Sequence, residues 1–305
     1  MILIRKIFSQ RNFNWVLKTG VISLALGLII LITSSENITP ENFRGFSFEL
    51  FFFAAVLFAP ILEEVTFRGQ HSTNNTIKIV SLIAIILLTI SQYSQWFNLA
   101  LGIALIMVIL LARTGRLSQA KYLPTYIILN SVLFALVHLS EGEFGLNTDT
   151  FLTFIQLGSG LICNWICLNF KLRNSIYFHM SWNFMLLSTL FFALQFPVGK
   201  KIVKETKHGI LNYEQVPYYD GIPSKANINS KQITLEGQGI EVLLKYLELA
   251  DKGKSADDFL INAPFFRFNL KYTSKYDTIF YQDFFEALQS EELITLAKKP
   301  KNSLK

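Results

Sequence analysis

Run after run of apolar residues fills the first two thirds of this chain, and no other feature constrains its fold as much. Stretches at about 15–34, 46–70, 77–93, 96–112, 123–140, 150–170 and 174–197 are each near the length that crosses a hydrocarbon core. A mean hydropathy of +0.37, with 51% hydrophobic residues and 16% charged ones, does not suit a soluble protein of 305 residues. The expectation is an all-α polytopic bundle of about seven transmembrane helices. The third and fourth stretches are short, and "YSQWFN" (93–98) between them is an amphipathic aromatic turn suited to a membrane interface.

Charge divides the chain. Residues 1–198 hold 12 Lys and Arg and 8 Asp and Glu, whereas the shorter segment 199–305 holds 16 and 14. A transmembrane domain (1–198) followed by a water-exposed tail domain (199–305) is expected. The tail reads as a small α+β domain. "KQITLEGQG" (231–239) and "FFRFNLKYTS" (265–274) alternate like strands, and "IEVLLKYLELADK" (240–252) and "FYQDFFEALQS" (280–290) have helical spacing. The tail's one histidine, His208, falls in what reads as a linker. No catalytic cluster marks the tail, so a binding or scaffolding role with an extra-cytoplasmic partner is expected of it.

Loop charges give an orientation. Arg5, Lys6, Arg11, Lys18, Lys78, Arg113, Arg116, Lys121, Lys171 and Arg173 fall on one side; Glu36, Glu41, Glu141, Glu143 and Asp149, with Arg44 alone, fall on the other. By the positive-inside rule the N-terminus is cytoplasmic and, after seven spans, the tail lies outside, in a bacterial inner (plasma) membrane. Lys200 and Lys201 oppose this mildly, but large domains translocate despite charge. No small-residue cleavage pair follows Val21–Thr33, so that helix reads as a retained span and not as a signal peptide. The net charge of +6 fits a membrane protein, and no basic cluster interleaved with aromatics points to nucleic acid.

Polar residues inside the apolar stretches carry the chemistry. A charge near the middle of a span costs roughly 2.5–3.5 kcal/mol, so such residues call for a functional explanation. In "EEVTFRG" (63–69), Glu64 and Arg68 share a helical face and can pair, while Glu63 points about 100° away. In "FALVH" (134–138), Phe134 and His138 share a face; in "HMSWN" (179–183), His179 and Asn183 do. Each has a structural reading: an ion pair at a helix end, a histidine cap, an interhelical hydrogen bond. Together they hold what peptide hydrolysis requires. A glutamate takes a proton from water, a histidine orients that water or binds a metal, and a second histidine and an amide donate to the oxyanion.

Other membrane protease designs are missing. There is no H-E-x-x-H, no G-x-S-x-G and no G-x-G-D, and "LGSGL" (157–161) reads as small-residue helix packing. Cys163 and Cys167, four apart, read as small packed apolar side chains.

The three motifs, in this order, resemble E-E-x-x-x-R-G, F-x-x-x-H and H-x-x-x-N of the CPBP family, which comprises CAAX prenyl proteases and bacteriocin-processing enzymes and is also called Abi. The likeness spans roughly residues 46–195. It implies an intramembrane endopeptidase acting on a membrane-associated peptide or protein, with Glu63 as the water-activating base. Glu64 and Arg68 would support Glu63, His138 would work beside it, and His179 with Asn183 would line the oxyanion side. It leaves open a metal-assisted scheme, with one divalent ion such as zinc on His138 and His179, and a metal-free one. The alternatives from other classes are a catalytically silent membrane scaffold or bacteriocin-immunity protein, and a transporter using the buried acids. Two features depart from the family pattern. Glu63 and His138 are 75 residues apart, with two stretches between them, and the tail lies outside the likeness. In straight helices Glu63 and His179 lie toward the inner side and His138 toward the outer. They meet only if the second helix runs on past Arg68, as expected here, and the fifth is tilted or starts late.

Overall fold

The computed structural model describes residues 13–33, 47–138, 148–197, 199–219, 221, 224–249, 258–262 and 265–296. The expected loop charges at 5–11, 36–44 and 141–143 lie outside these residues. The chain divides into two compact units, Met1–Glu36 with Phe53–Phe184, and Asn37–Phe52 with Met185–Lys305.

Helices occupy all seven apolar stretches among the described residues. They are α1 (Asn14–Thr33), α2 (Phe48–Phe53) continuing into α3 (Ala59–Arg68), α4 (Asn75–Ser91), α5 (Trp96–Arg113), α6 (Gln119–Leu136), α7 (Thr148–Phe170) and α8 (Leu172–Gln195). Three segments are long and apolar enough to cross a membrane: Phe48–His71, Trp96–Arg113 and Leu152–Phe170. Asn14–Ile30 and Asn75–Ser91 are shorter apolar helices.

The second stretch is one continuous but irregular rod. A π-helical turn, Ala54–Phe58, joins α2 to α3, and the Ala59 N–H reaches back five residues to the Ala54 carbonyl. Pro60 follows at once; it has no N–H for the ordinary helical bond to Val56, and the wider turn accommodates it. Beyond Arg68 the rod continues as a 3₁₀ turn, Gly69–His71.

In the first unit, α1 packs along α7 at close range. A Cβ on Gly158 would stand 2.7 Å from both the Gly20 carbonyl and the Leu24 amide, so only glycine permits the approach. This is the small-residue packing expected of "LGSGL". Ser23 adds a hydrogen bond to the Phe154 carbonyl across the same contact. Phe67, Ile85, Leu105, Ile109, Tyr126, Leu133 and Phe134 form a buried core from α3 to α6.

The second unit contains a five-stranded antiparallel sheet in the order β1-β2-β6-β4-β3, from β1 (Ile202–Glu205), β2 (Gly209–Val216), β3 (Lys225–Ile228), β4 (Gln232–Gln238) and β6 (Arg267–Ser274). A small pair, β5 (Phe259–Ile261) with β7 (Ile294–Leu296), lies beside it in sequence. Burial alternates along β2, β4 and β6, as a sheet covered on one face requires. Helices α9 (Ile240–Leu249) and α10 (Tyr281–Ser290) bury Leu243, Leu244, Leu247, Phe284, Phe285 and Leu288 in the core that contains Leu211, Ile233 and Leu270. The alternating stretches and helices expected in the tail appear here as β4, β6, α9 and α10; residues 250–252 lie outside the described ones.

His208 is not in a linker. It sits in the β1–β2 turn, stacked 4.3 Å from Phe280, with Nδ1 3.4 Å from Asp283. Burial pushes the Asp283 carboxyl up, but hydrogen bonds from Thr206, Tyr272 and the His208 amide outweigh it and hold the carboxyl below its usual range. In the same unit Phe48 packs against Phe191, Tyr218 and Phe265, and the Tyr218 hydroxyl donates to Glu49 at 3.2 Å.

Candidate active site

Three helices of the first unit supply the site. Helix α3 carries Glu63, Glu64 and Arg68; His138 follows the end of α6; α8 carries His179 and Asn183. Helices α3 and α6 run antiparallel, pinned where the Tyr126 hydroxyl and the Asn130 amide donate to the Phe67 carbonyl at 2.6 and 2.5 Å. Helix α6 starts at Gln119 and ends at Leu136, four residues earlier at each end than the expected 123–140. His138 therefore lies just past the helix, and its Nδ1 turns back to the Phe134 carbonyl at 2.6 Å. The second rod continues past Arg68, as expected, whereas α6 starts early and not late; His138 meets Glu63 as it folds back past the helix end.

Glu64 and Arg68 are fully buried, with Nη1 3.2 Å from Oε1. The pair has further partners, although Arg68 Nε and Nη1 make no hydrogen bond. Arg68 Nη2 donates to the Gly160 carbonyl at 2.9 Å, and the guanidinium lies 4.4 Å over the Phe134 ring. Ser175 Oγ lies 2.6 Å from Glu64 Oε2 and 2.9 Å from the Cys163 carbonyl. His179 Nδ1 lies 3.1 Å from Glu64 Oε1. Ion pairs and hydrogen bonds of this density are what keep charges tolerable inside a bundle.

Glu63 points elsewhere, as the helical angle requires. Its Oε2 lies 3.6 Å from His138 Nε2 and 3.7 Å from His179 Nε2. The far nitrogen of each ring fixes its tautomer. A carbonyl and a carboxylate only accept, so Nδ1 of each histidine carries a proton and each Nε2 turns toward Glu63. Gaps of 3.6–3.7 Å exceed a direct hydrogen bond. Phe134, 1% exposed, lies with its ring centre 4.6 Å from that of His138 and 6.2 Å from that of His179. It spaces the histidines on one side while facing Arg68 on the other.

Asn183 is one turn beyond His179, but its amide donates to the Ala55 carbonyl at 2.8 Å. That carbonyl lies in the π-helical turn, so the irregular backbone before the Glu pair holds Asn183. One amide hydrogen remains for another acceptor. Ser175 had no signal in the sequence, since a helical serine is ordinary until its partner 111 residues away is known.

Metal ligation takes a different form from the expected His138 and His179 pair. Among the described residues, the side chains whose donor atoms converge, all within 4.8 Å of one another, are Glu64, Cys163 and His179; His138 is not among them. The fit to a divalent ion is poor. Glu64 is already shared by Arg68, Ser175 and His179 Nδ1, and an added ion would meet a buried guanidinium across the same carboxylate. Arg68 holds the cationic position there.

No curated protein and no solved structure matches the chain. A family model described as type II CAAX prenyl endopeptidase Rce1-like matches residues 45–185, which include all three motifs. Over that segment, the chain is similar to the CAAX prenyl protease family.

Proposed function

We propose that this protein is an intramembrane endopeptidase that hydrolyses a peptide bond in a membrane-associated peptide or protein. The observation that carries this reading is the convergence of two Nε2 atoms, with tautomers set from behind, on Glu63 Oε2. A water bridging these groups gives one proton to Glu63 as its oxygen attacks the carbonyl carbon. His138 steers the water from one side. His179, held by Glu64, stands on the other side, and the donor to the oxyanion there is the free amide hydrogen of Asn183, one turn along the same helix. The proton on Glu63 then passes to the leaving nitrogen. Arg68, Phe134 and Ser175 touch no substrate; they fix Glu64, and through it His179.

The family description names prenylated CAAX ends as its substrate class, and a lipid-anchored C-terminal peptide is the substrate class we infer for this chain. Residues 1–198 are the protease domain and 199–305 a separate α+β domain with an extra-cytoplasmic partner. The seven helices cross the membrane, a plasma membrane, with the N-terminus in the cytoplasm. Reporter fusions after Lys121 and Lys201 test the topology. They should report opposite sides, and two cytoplasmic signals would refute it.

Glu63→Gln tests the chemistry. It keeps shape and removes the base, so cleavage of a membrane peptide should vanish while thermal stability in detergent stays near wild type. Wild-type cleavage by the variant would reject the protease reading, and would favour a silent scaffold that keeps its polar core for packing.

A further inference from the structure

One cavity lies away from the catalytic groups, at the end of the bundle where α3, α5 and α7 finish and α4 and α6 begin. Its volume is about 330 Å³. Gln70, His71, Lys78, Arg113, Gln119 and Tyr122 supply its polar lining. No carboxylate lines it, and among the described residues neither Lys78 nor Arg113 has an acidic partner within ion-pair distance. The Arg113 cation is nonetheless held. Arg113 Nη2 donates to Gln70 Oε1 at 3.3 Å and to the Lys78 carbonyl at 3.2 Å, and Gln70 Nε2 donates to that same carbonyl at 2.6 Å. His71 is braced from behind by Asn164 at 3.2 Å and by the Tyr126 ring at 5.0 Å. One braced guanidinium and a lysine, with amide and phenol donors and no acid, form a receptor for an anion.

The position selects the anion. Arg116, Lys121, Lys171 and Arg173 lie at the same end of the bundle, the basic end where a membrane surface begins. The floor is apolar, with Ile109, Leu123 and Leu168, so a lipid can leave its acyl chains along the helices while its headgroup enters. Basic pockets between transmembrane helices at this level take anionic headgroups. The catalytic cleft is not the source of the ligand, because Phe67, Tyr126, Asn130 and Phe134 fill the space between, all buried. We infer that this cavity binds the phosphate of one anionic phospholipid, with Lys78 and Arg113 as its charge partners.

The test uses the full chain in mixed micelles with phosphatidylglycerol, phosphatidylcholine or inorganic phosphate, read by native mass spectrometry and by the thermal midpoint. One phosphatidylglycerol should stay bound and raise the midpoint, and phosphatidylcholine should do neither. Lys78→Gln should weaken retention roughly fivefold, the ratio expected for one basic group at a membrane surface, and Arg113→Gln by at least as much. Gln119→Glu removes no contact in the cavity network but adds a negative charge, and should weaken binding as well. Arg116→Gln and Lys121→Gln, at the same end but outside the cavity, should leave retention unchanged. Equal losses from these outside variants would overturn the site in favour of diffuse surface charge. An equal midpoint rise with inorganic phosphate alone would overturn the lipid as ligand, and unchanged retention in both Lys78→Gln and Gln119→Glu would overturn the cavity altogether.

Discussion

Glu64 Oε1 lies 3.1 Å from His179 Nδ1, so the second acid of the Glu pair orients the histidine whose other nitrogen faces the first. The adjacent carboxylates thus have different tasks, set by the 100° between successive helical side chains. Glu63 is a quarter exposed and can meet water; Glu64 is sealed among Arg68, Ser175 and His179.

Glu64→Gln should therefore fail in stability before chemistry. The amide keeps the shape and an acceptor for Ser175, but it leaves the Arg68 guanidinium without a counter-charge at zero exposure. Breaking one side of a buried pair costs about 3–5 kcal/mol. Thermal unfolding in detergent should separate Glu64→Gln, strongly destabilised, from Glu63→Gln, close to wild type. Equal midpoints for Glu64→Gln and wild type would remove the pairing from the account.

Much of the site was legible because polar residues stand out in apolar helices. Glu63, Glu64, Arg68, His138, His179 and Asn183 each draw notice for their cost in a membrane, and helical spacing alone says that Glu64 faces Arg68. What the sequence left hidden depends on contacts between distant segments. Ser175 reads as an ordinary helical serine. The π-helical turn that presents the Ala55 carbonyl to Asn183 has only Pro60 as a local sign. The level of His138 depends on where α6 begins, and a boundary error of four residues moves it by a whole turn. In the tail, β1 and β2 lie in "IVKETKHGILNYEQV", whose polar alternate residues resemble a solvated linker until the covering helices are known.

Gly160 makes a sharper test of how the support layer acts. A Cβ there would stand 3.0 Å from Phe134 Cδ1 and 3.2 Å from Arg68 Nη2. Neither neighbour can swing away, since both are buried and Arg68 is tied to the Gly160 carbonyl itself. Gly160→Ala should cost about 1–3 kcal/mol, as overpacking does. It should also lower turnover per folded molecule, because displacing Phe134 moves the ring that touches His138. Gly158→Ala crowds the α1 backbone instead, at 2.7 Å, and should reduce stability while leaving turnover of the folded fraction intact. If both variants lose only stability, Phe134 is packing and does not position the histidines.

The metal question turns on Cys163. Any ion held by the convergent donors Glu64, Cys163 and His179 would need that thiolate, whereas the metal-free scheme gives it no chemical task. Cys163 is 2% exposed, and its backbone carbonyl, which serviceably faces Ser175, is unaffected by the side chain. Cys163→Ser is close in size and should keep turnover within a few-fold of wild type. Purified enzyme should contain far less than one equivalent of zinc or any other divalent ion, and chelation should leave activity unchanged. The physical reason is charge. Arg68 already neutralises Glu64, and a divalent ion added beside a buried guanidinium would leave the pocket with uncompensated positive charge. Stoichiometric metal in wild type, lost together with activity in both Cys163→Ser and His179→Ala, would reverse this conclusion and make Glu64 a ligand instead of a brace.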